Sequence, residues 1–487
     1  MRGPWRPRPR SNSWSTACAN AAYWLASGVM RNRIIAAAVF LAAAVWGAEQ
    51  WRPGFHFTPA KNWTNDPCGL VFFDGEYHLF FQHNPLGPLW GNMSWGHAVS
   101  RDLRRWQELP VAIPTGSDAW IFTGSTVVDR NNSSGFCIGG KPCLVAIYTG
   151  DTGVDKSKPA REHQNLAYSN DRGRTWTKYE KNPVLDPGLK DFRDPKVLWY
   201  EPAKRWVMAL ALPTEHKAVF YASPDLKAWT RTGEFGPAGA TGGIWECPDL
   251  FEVDGKWVLK IGLNPGHIAG GSGEQYFVGR FDGNTFVSET TETKWLDYGR
   301  DCYCALTFSG TPRGQKPVML GWMSNWQYAS KTPTEPWRGQ MTLPRGLSLR
   351  GTTLVQAPAA GVARNWRRWD GKPFEAGGSF EVEMEPEDGA IALRVLQGAG
   401  AETVIGWEEG TLFVDRSKSG AVEFHKGFPG RTKAPVARLR RLHVVVDRLS
   451  VEVFANGGEV TLTNLVFPPE GANGVELTGK AKNLRWR

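Results

Sequence analysis

SRDLRRW (Ser100–Trp106), SNDRGRTW (Ser169–Trp176) and SPDLKAW (Ser223–Trp229) are three versions of one unit: Ser-x-Asp, a short polar turn and a closing tryptophan. Each follows an apolar, strand-like run. Serine and aspartate side chains two positions apart can bond back to the chain and close a turn, and the tryptophan is large enough to pack between neighbouring sheets. Recurrence at intervals of tens of residues is the mark of radially repeated blades. From Trp51 to about Gly346, runs such as VFFDGEYHLFFQ, KPCLVAIYTG, LFEVDGKWVLKIGL and VMLGWMSNW alternate with turn signals, among them Asp74-Gly75, Asp254-Gly255 and Asp282-Gly283. Long helical periodicity is absent. The expected architecture is all-β, a five-bladed β-propeller at roughly 60 residues per blade. Asp102, Asp171 and Asp225 are expected to close turns and to take no part in chemistry.

Beyond Leu347 the pattern loosens, and it then resumes as alternating segments: SFEVEME, AIALRVL, TLFVDRS, LHVVVDRLSVEVFANGG and EVTLTNLVF. This reads as a C-terminal β-sandwich of about 115 residues. Four segments follow: a leader at 1–48, a propeller at 49–346, a linker at 347–373 and a sandwich at 374–487. The sandwich contains no evident acid–base pair, so it is expected to support the propeller or to bind sugar.

The net charge of +9 suggests nucleic acid only until its location is considered. Arg2, Arg6, Arg8, Arg10, Arg31 and Arg33 supply most of it, and residues 1–48 contain no acid. A nucleic-acid partner is therefore not expected. Arg31 and Arg33 precede the apolar run IIAAAVFLAAAVWGA, of signal-peptide length, with small residues near Ala44 and Ala48 as cleavage positions. Met30, immediately upstream, is an alternative start. The alternative to cleavage is an N-terminal anchor. With cleavage the chain is secreted or periplasmic, with no membrane attachment. Of the seven cysteines, Cys18 leaves with the leader. Cys137 and Cys143, which bracket a Gly-Gly turn in CIGGKPC, are the expected disulfide. No set of cysteines and histidines has metal-ligand spacing, so no metal is expected.

Three carboxylates stand in unusual settings. Asp66, in WTNDPCGL (Trp63–Leu70), is wedged between Asn65 and Pro67 and is expected to be held in place as an ionised nucleophile. Asp194, in DFRDPK, follows Arg193, whose guanidinium can keep it charged while the pair binds vicinal hydroxyls. Glu246, in WECPDL, has Trp245, Cys247 and Pro248 as neighbours, a setting that raises a carboxyl pKa and suits general acid work. Taken singly these are an Asx-turn, a salt bridge and a strand end. Together, at blade-like intervals with aromatics beside each, they read as residues converging on a propeller axis.

WTNDPCGL, FFQHNP, IFTGS, DFRDPK, WECPDL and GWMSNWQYASKTPTEPWRGQMTLPR resemble the motifs of the β-fructosidases, glycoside hydrolase family 32, which includes invertases, levanases and exo-inulinases. DRSKSG (Asp415–Gly420) and VDRLSVEVFANGGE resemble that family's C-terminal module. The resemblance implies a five-bladed propeller followed by a β-sandwich, acting on fructan or sucrose without a cofactor. It makes Asp66 the nucleophile, Glu246 the acid/base and Asp194 the transition-state stabiliser. It lines the fructose pocket with Trp63, Asn65, Gln82, Trp90, Phe122, Thr123, Ser125, Arg193, Asn264 and a tryptophan of GWMSNW, with Trp326 preferred to Trp322. Asp301, in DYGRDCYCA, matches a pocket-wall motif. A retaining mechanism follows, with Asp66 and Glu246 about 5–5.5 Å apart.

The chain departs from the family pattern at Cys68, Cys302 and Cys304, where non-thiol residues are usual. One account pairs Cys68 with Cys302 or Cys304 at the pocket rim, and the other leaves them as separate buried thiols. The motif after Gly321 resembles exo-acting levanases and inulinases more than plant invertases. The expected activity is release of terminal fructose from levan or inulin, with sucrose also cleaved. The alternatives are a sucrose-preferring invertase, a transfructosylase using the same acids and a non-catalytic fructan-binding propeller. A sialidase, suggested by SNDRGRTW, would need an arginine cluster that is not evident.

Overall fold

The alternating runs form antiparallel sheets whose hairpins close where the sequence places turn residues. Strand Asn62–Phe73 returns as Glu76–Asn84 through Asp74 and Gly75, both at positive φ, and Ile244–Val253 returns as Lys256–Asn264 through Asp254 and Gly255 in the same way. Two residues at positive φ give the turn whose twist matches the flanking strands. At Asp282-Gly283 the connection is longer, and Asp282 Oδ1 instead accepts from the Asn284 and Thr285 N–H groups. The computed structural model describes residues 49–487 apart from Asp118, Lys158, Arg313, 361–364 and Asp388. The expected leader, with its apolar run and the alternative start at Met30, lies outside the described residues.

Five sheets follow one another along the chain. Their first strands are Asn62–Phe73, Trp120–Asp129, Arg193–Tyr200, Ile244–Val253 and Tyr303–Thr307. These touch in cyclic order, the fifth returning to the first, so they are the inner strands of a five-bladed propeller. Blades I to V take their names from that order. Parallel pairing of Trp337–Arg338 with Asn62–Trp63, and a bridge between Val71 and Ser309, close the ring.

No single core fills this domain. Apolar residues gather in five clusters, each wedged between two neighbouring blades. Phe80 and Trp95 of blade I meet Ile121 and Tyr148 of blade II; Ile147 and Leu166 meet Val197 and Met208 of blade III. Val207 and Phe220 meet Trp245 and Leu259 of blade IV, and Val258 and Val278 meet Met319 and Leu347 of blade V. Phe81 and Leu79 complete the circle against Leu306 and Trp322.

The Ser-x-Asp units are structural. Ser100, Ser169 and Ser223 each donate to the aspartate two residues on, and each aspartate accepts backbone N–H groups of its own turn. Trp176 of blade II lies edge-on to Phe80 of blade I, and Trp229 joins the cluster between blades II and III.

Blade V continues beyond Gly346. Strands Arg345–Arg350 and Thr353–Pro358 complete it, with Leu354 and Gln356 buried. The small residues that loosen the sequence pattern here do not break the strands, because alternate side chains still face blade IV and the second domain. Two six-stranded antiparallel sheets then enclose a common core that includes Phe380, Val444, Leu393 and Val414.

Buried charge joins propeller and sandwich. Arg345 of blade V holds Asp297 (Nη1–Oδ2 3.0 Å) and Glu452 of the sandwich. His56, at the start of the described chain, lies between Asp447 (2.7 Å) and Glu452 (2.8 Å), and all three are buried. Burial opposes a charge on His56, but hydrogen bonds and the charges of the two acids outweigh it and push its pKa from 6.5 up to about 9. A raised pKa means that this contribution to stability is complete below pH 6.5 and is lost as pH rises through about 9. Replacing His56 by Gln should cost about 3 kcal/mol near neutrality, the order found when one partner of a buried pair is removed. In calorimetric scans the melting-temperature gap between the parent and His56→Gln should narrow from pH 7 to pH 10. A gap that does not change with pH would contradict this reading.

Candidate active site

All five inner strands break register at the same depth. The shifts fall between Thr64 and Pro67, between Ile121 and Gly124, across Asp194 and Pro195, between Glu246 and Asp249, and between Tyr303 and Leu306. A bulge bends a strand and re-aims its side chains, and proline is tolerated there because no ladder N–H is needed. This explains the Asp-Pro pairs at 66–67 and 194–195 and Pro248 after Cys247. Residues inside or beside the bulges are thereby turned toward one end of the axis.

There a cavity of about 590 Å³ is lined by Asp66, Asp194 and Glu246, together with Arg193, Trp326 and Trp90. Of the residues expected from sequence, Asn65, Gln82, Phe122, Thr123 and Asn264 also reach it. Trp63 does not. It is buried behind Trp326, 6.0 Å between ring centres, and its Nε1–H donates to Asn65 Oδ1 at 2.7 Å. Ser125 also lies behind the wall, where its Oγ accepts from the Val197 N–H. Trp326 lines the cavity, whereas Trp322 is buried beneath it.

Asp301 is elsewhere. Its carboxylate accepts from the Tyr328 hydroxyl, from Arg416 Nη1 and from the Leu465 N–H, which ties blade V to the sandwich. The motif that suggested a pocket wall instead contributes Tyr303, two residues on, which is buried behind the cavity and donates to Glu246. Asp301 precedes the inner strand Tyr303–Thr307 and lies in a segment held to the sandwich, where the Tyr298 and Asp301 N–H groups donate to the Thr461 and Thr463 carbonyls.

Asp66 is buried, and Thr123 Oγ1–H donates to its Oδ2 at 2.8 Å. The other oxygen, Oδ1, is buried without a hydrogen-bond partner. Burial, helped by the negative charge of Glu246, raises its pKa to about 6, while Asn65, Thr123 and the Lys260 charge pull it back. Asp66 is therefore ionised only above about pH 6, a narrower range than an exposed aspartate has.

Arg193 does not pair with the adjacent Asp194. Its guanidinium holds Glu162 (Nε–Oε1 2.9 Å), Asp191 and Glu246 (Nη1–Oε1 2.9 Å). Asp194 instead accepts from the Cys247 N–H at 2.9 Å, and burial, with the charge of Glu246, raises its pKa well above the usual range despite Arg193. Glu246 likewise lacks the apolar surroundings that its sequence neighbours suggest. Trp245 points away into the cluster between blades III and IV, and the carboxylate accepts from Arg193 and from the Tyr303 hydroxyl at 2.6 Å. The pairing of acid and arginine expected at 193–194 thus crosses from blade III to blade IV.

Glu162, Trp120, Asp191 and Tyr303 were not legible as site residues. Glu162 and Trp120 sit in ordinary strand sequence, and Tyr303 was visible only as part of DCYCA. A larger groove on the sandwich edge between Trp366 and Trp486 is lined by Asp370, Glu375, Glu383 and Glu385, of which Glu383 is engaged by Arg441 and Arg485.

Cys137 and Cys143 are joined, with Cα atoms 5.1 Å apart. The rim bridge considered for Cys68 is not formed. Cys68 and Cys302 are buried free thiols, and Cys304 is bonded to Cys247. Cys68 points into the cluster between blades I and II and Cys302 into that between blades IV and V, so neither faces the other. Two groups of metal-ligating atom types occur among the described residues, Asp66 with Cys247 and Cys304, and Asp129 with Cys137 and Cys143. In each, the sulfurs are bonded to one another and supply no thiolate.

Replacing Thr123 by Val removes a hydrogen bond to the ionised form of Asp66. It should raise the Asp66 pKa from about 6 by roughly one unit, since such a bond is worth about 1.5 kcal/mol or more. The carboxyl ¹³C shift of Asp66 followed against pH measures this, and an unchanged titration would contradict the assignment.

The model of the glycosyl hydrolases family 32 N-terminal domain matches residues 56–358, and that of the family's C-terminal domain matches residues 356–485. A levanase from Bacillus subtilis (strain 168) is 45% identical over 88% of this chain and 68% of its own length. The extracellular exo-inulinase inuE of Aspergillus ficuum is 40% identical over 87% of this chain and 91% of its own. Among solved structures, exo-inulinase from Aspergillus awamori superposes with a TM-score of 0.84 at 37% identity, covering 89% of this chain and 97% of that one. A β-fructofuranosidase from Schwanniomyces occidentalis, complexed with fructosyl-erythritol, gives 0.82 at 32% identity, covering 90% and 98%.

Proposed function

The chain belongs to glycosyl hydrolase family 32, and from that premise we propose that it is a retaining exo-β-fructosidase that releases terminal fructose from levan or inulin and also cleaves sucrose. The observation that carries the reading is the convergence of Asp66, Asp194 and Glu246 on one cavity, with Asp66 Oδ1 buried and unpaired. A buried carboxylate oxygen without a protein donor is costly to maintain. It is suited to meeting the electrophilic carbon of a bound substrate.

In this reading Asp66 attacks the anomeric C2 of a terminal fructofuranose. Glu246, held by Arg193 and Tyr303, gives its proton to the departing oxygen, through a transition state of oxocarbenium character. Glu246 then deprotonates a water that releases β-fructose, and two inversions give net retention. Asp194 grips fructose hydroxyls beside the reacting carbon. Trp326, Phe122 and Trp90 supply apolar faces for the sugars. The levanase and exo-inulinase relatives favour fructan over sucrose as the main substrate. A leader at 1–48, a propeller extended to Pro358 and a following sandwich belong to the same reading. So does export from the cytoplasm, supported by the basic-then-apolar leader, the two disulfides and the extracellular relatives. No helix of the described residues is long and apolar enough to cross a membrane.

Purified protein should give fructose alone from levan and inulin, without a ladder of oligosaccharides, and Asp66→Asn should lower the rate by at least about 10³-fold. The first fructose formed should be the β anomer by ¹H NMR; the α anomer would remove the retaining mechanism. Because Asp66 must be ionised, kcat/KM should fall as pH drops through about 6. A ladder would mean endo action, and no product from levan, inulin or sucrose would return the chain to a binding role.

A further inference from the structure

Cys247 follows the proposed acid/base, and Cys304 follows the tyrosine that hydrogen-bonds to it. The bridge between them therefore joins the two bulges that present Glu246 and Tyr303 to each other. We propose that the Cys247–Cys304 disulfide is a positioning device for general acid catalysis. It holds Glu246 of blade IV against Tyr303 of blade V, and its reduction uncouples proton donation without emptying the site. This rests on the reading of Glu246 as acid/base.

Four observations converge on it. Blades IV and V are separate sheets with no hydrogen-bonded ladder between their inner strands, so side chains must set the spacing of Glu246 and Tyr303. Cys247 and Cys304 both sit at positive φ, 50° and 44°. That conformation is unfavourable for a residue with a Cβ and persists only where the surroundings impose it. Cys247 is fastened on every side: its N–H donates to Asp194 (2.9 Å), its carbonyl accepts from Lys260 (2.8 Å), and its sulfur lies 3.7 Å from Asp66 Oδ2. One residue thus touches two of the three carboxylates and precedes or follows none but the third. Finally, the space that Tyr303 occupies is kept open by Gly262, where a Cβ would stand 3.1 Å from both the tyrosine ring and the Glu246 carbonyl. The ring is thereby seated, and its hydroxyl reaches Glu246 Oε2 at 2.6 Å.

Cutting the bridge frees both bulges to relax toward ordinary extended backbone. That rotation moves the residue before each cysteine, which is Glu246 on one side and Tyr303 on the other. Arg193 remains beside Glu246, so the carboxyl is retained in the cavity but loses its fixed direction. Chemically, a dithiol such as dithiothreitol supplies two electrons and two protons. The Cys247–Cys304 bond becomes two thiols, and the reagent closes to its own cyclic disulfide.

A loss of protonation differs from a loss of fold in its dependence on the leaving group. An alkoxide from fructan needs a proton to depart, whereas fluoride from β-fructosyl fluoride does not. The experiment compares the single-turnover rate of the first step, departure of the leaving group, for both substrates on the full-length enzyme as isolated, after dithiothreitol treatment and as Cys304→Ala, with Glu246→Gln as reference. The first step is chosen because the later hydrolysis needs Glu246 as base whichever group has left. Peptide mapping under non-reducing conditions reports the state of the bridge. Opening it should lower kcat on inulin by about 10- to 100-fold, the penalty of a small misplacement of a reacting group. KM should stay within about twofold, the single-turnover rate of fluoride release from fructosyl fluoride should be nearly unchanged, and the alkaline limb of the pH profile should shift.

Equal loss on both substrates would make the bridge merely structural and overturn the proposal. Unchanged rates on both, or Cys247 and Cys304 mapped as free thiols in the active protein, would do the same. Where dithiothreitol leaves the bridge closed, Cys304→Ala decides; where that variant does not fold, the reduced parent decides. If Glu246→Gln itself shows no difference between the two leaving groups, the assignment of Glu246 fails, and the proposal fails with it for that separate reason.

Discussion

The molecule depends on five β-bulges at one depth. A propeller inner strand would ordinarily send alternate side chains into the interfaces with the flanking blades, leaving little chemistry for the axis. Breaking register in every blade at the same level turns Asp66 from blade I, Phe122 and Thr123 from blade II, Asp194 from blade III and Glu246 from blade IV toward a common cavity, and sets Tyr303 from blade V behind Glu246. The apolar clusters between blades hold the strands that carry these bulges, so the site stands on rigid elements rather than on loops.

Concentrating carboxylates in a buried space has an electrostatic cost that the surrounding charges partly offset. Arg193 bridges Glu162, Asp191 and Glu246. Beneath the floor, Lys260 is paired with Glu274 and Lys196 with Asp249, all buried. What remains uncompensated appears as raised pKa values on Asp66 and Asp194. Acids whose environments differ, with one oxygen left unpaired, are the arrangement that proton transfer and nucleophilic attack require near neutral pH.

Much of this was legible in the sequence because the fold's signals are local. Ser-x-Asp and Trp report a turn and a packing residue, and Asp-Pro reports a strand break. The carboxylates Asp66, Asp194 and Glu246 could be named because each stands in such a break. What could not be read were interactions across blades. Arg193 is next to Asp194 in sequence but reaches Glu246, the apolar neighbours of Glu246 face away from it, and Asp301 turns from the cavity to the sandwich. Cys304 pairs with Cys247, and Cys68 remains free. Apart from Asp301, which precedes its strand, each follows from which face of a bulged strand a residue occupies, and one register step reverses that face. The second half of blade V was hidden for a different reason, since its strands are built partly from small residues that carry little pattern.

The most direct test of the account is to trap the covalent intermediate. Glu246→Gln incubated with β-fructosyl fluoride can form a fructosyl-enzyme but has no base with which to hydrolyse it. After an acid quench, digestion and mass spectrometry should find one fructosyl group on the peptide spanning Asn62–Phe73, attached through Asp66. A label on the peptide containing Asp194, or turnover of the fluoride with no labelled peptide, would contradict the assignment of Asp66 as nucleophile.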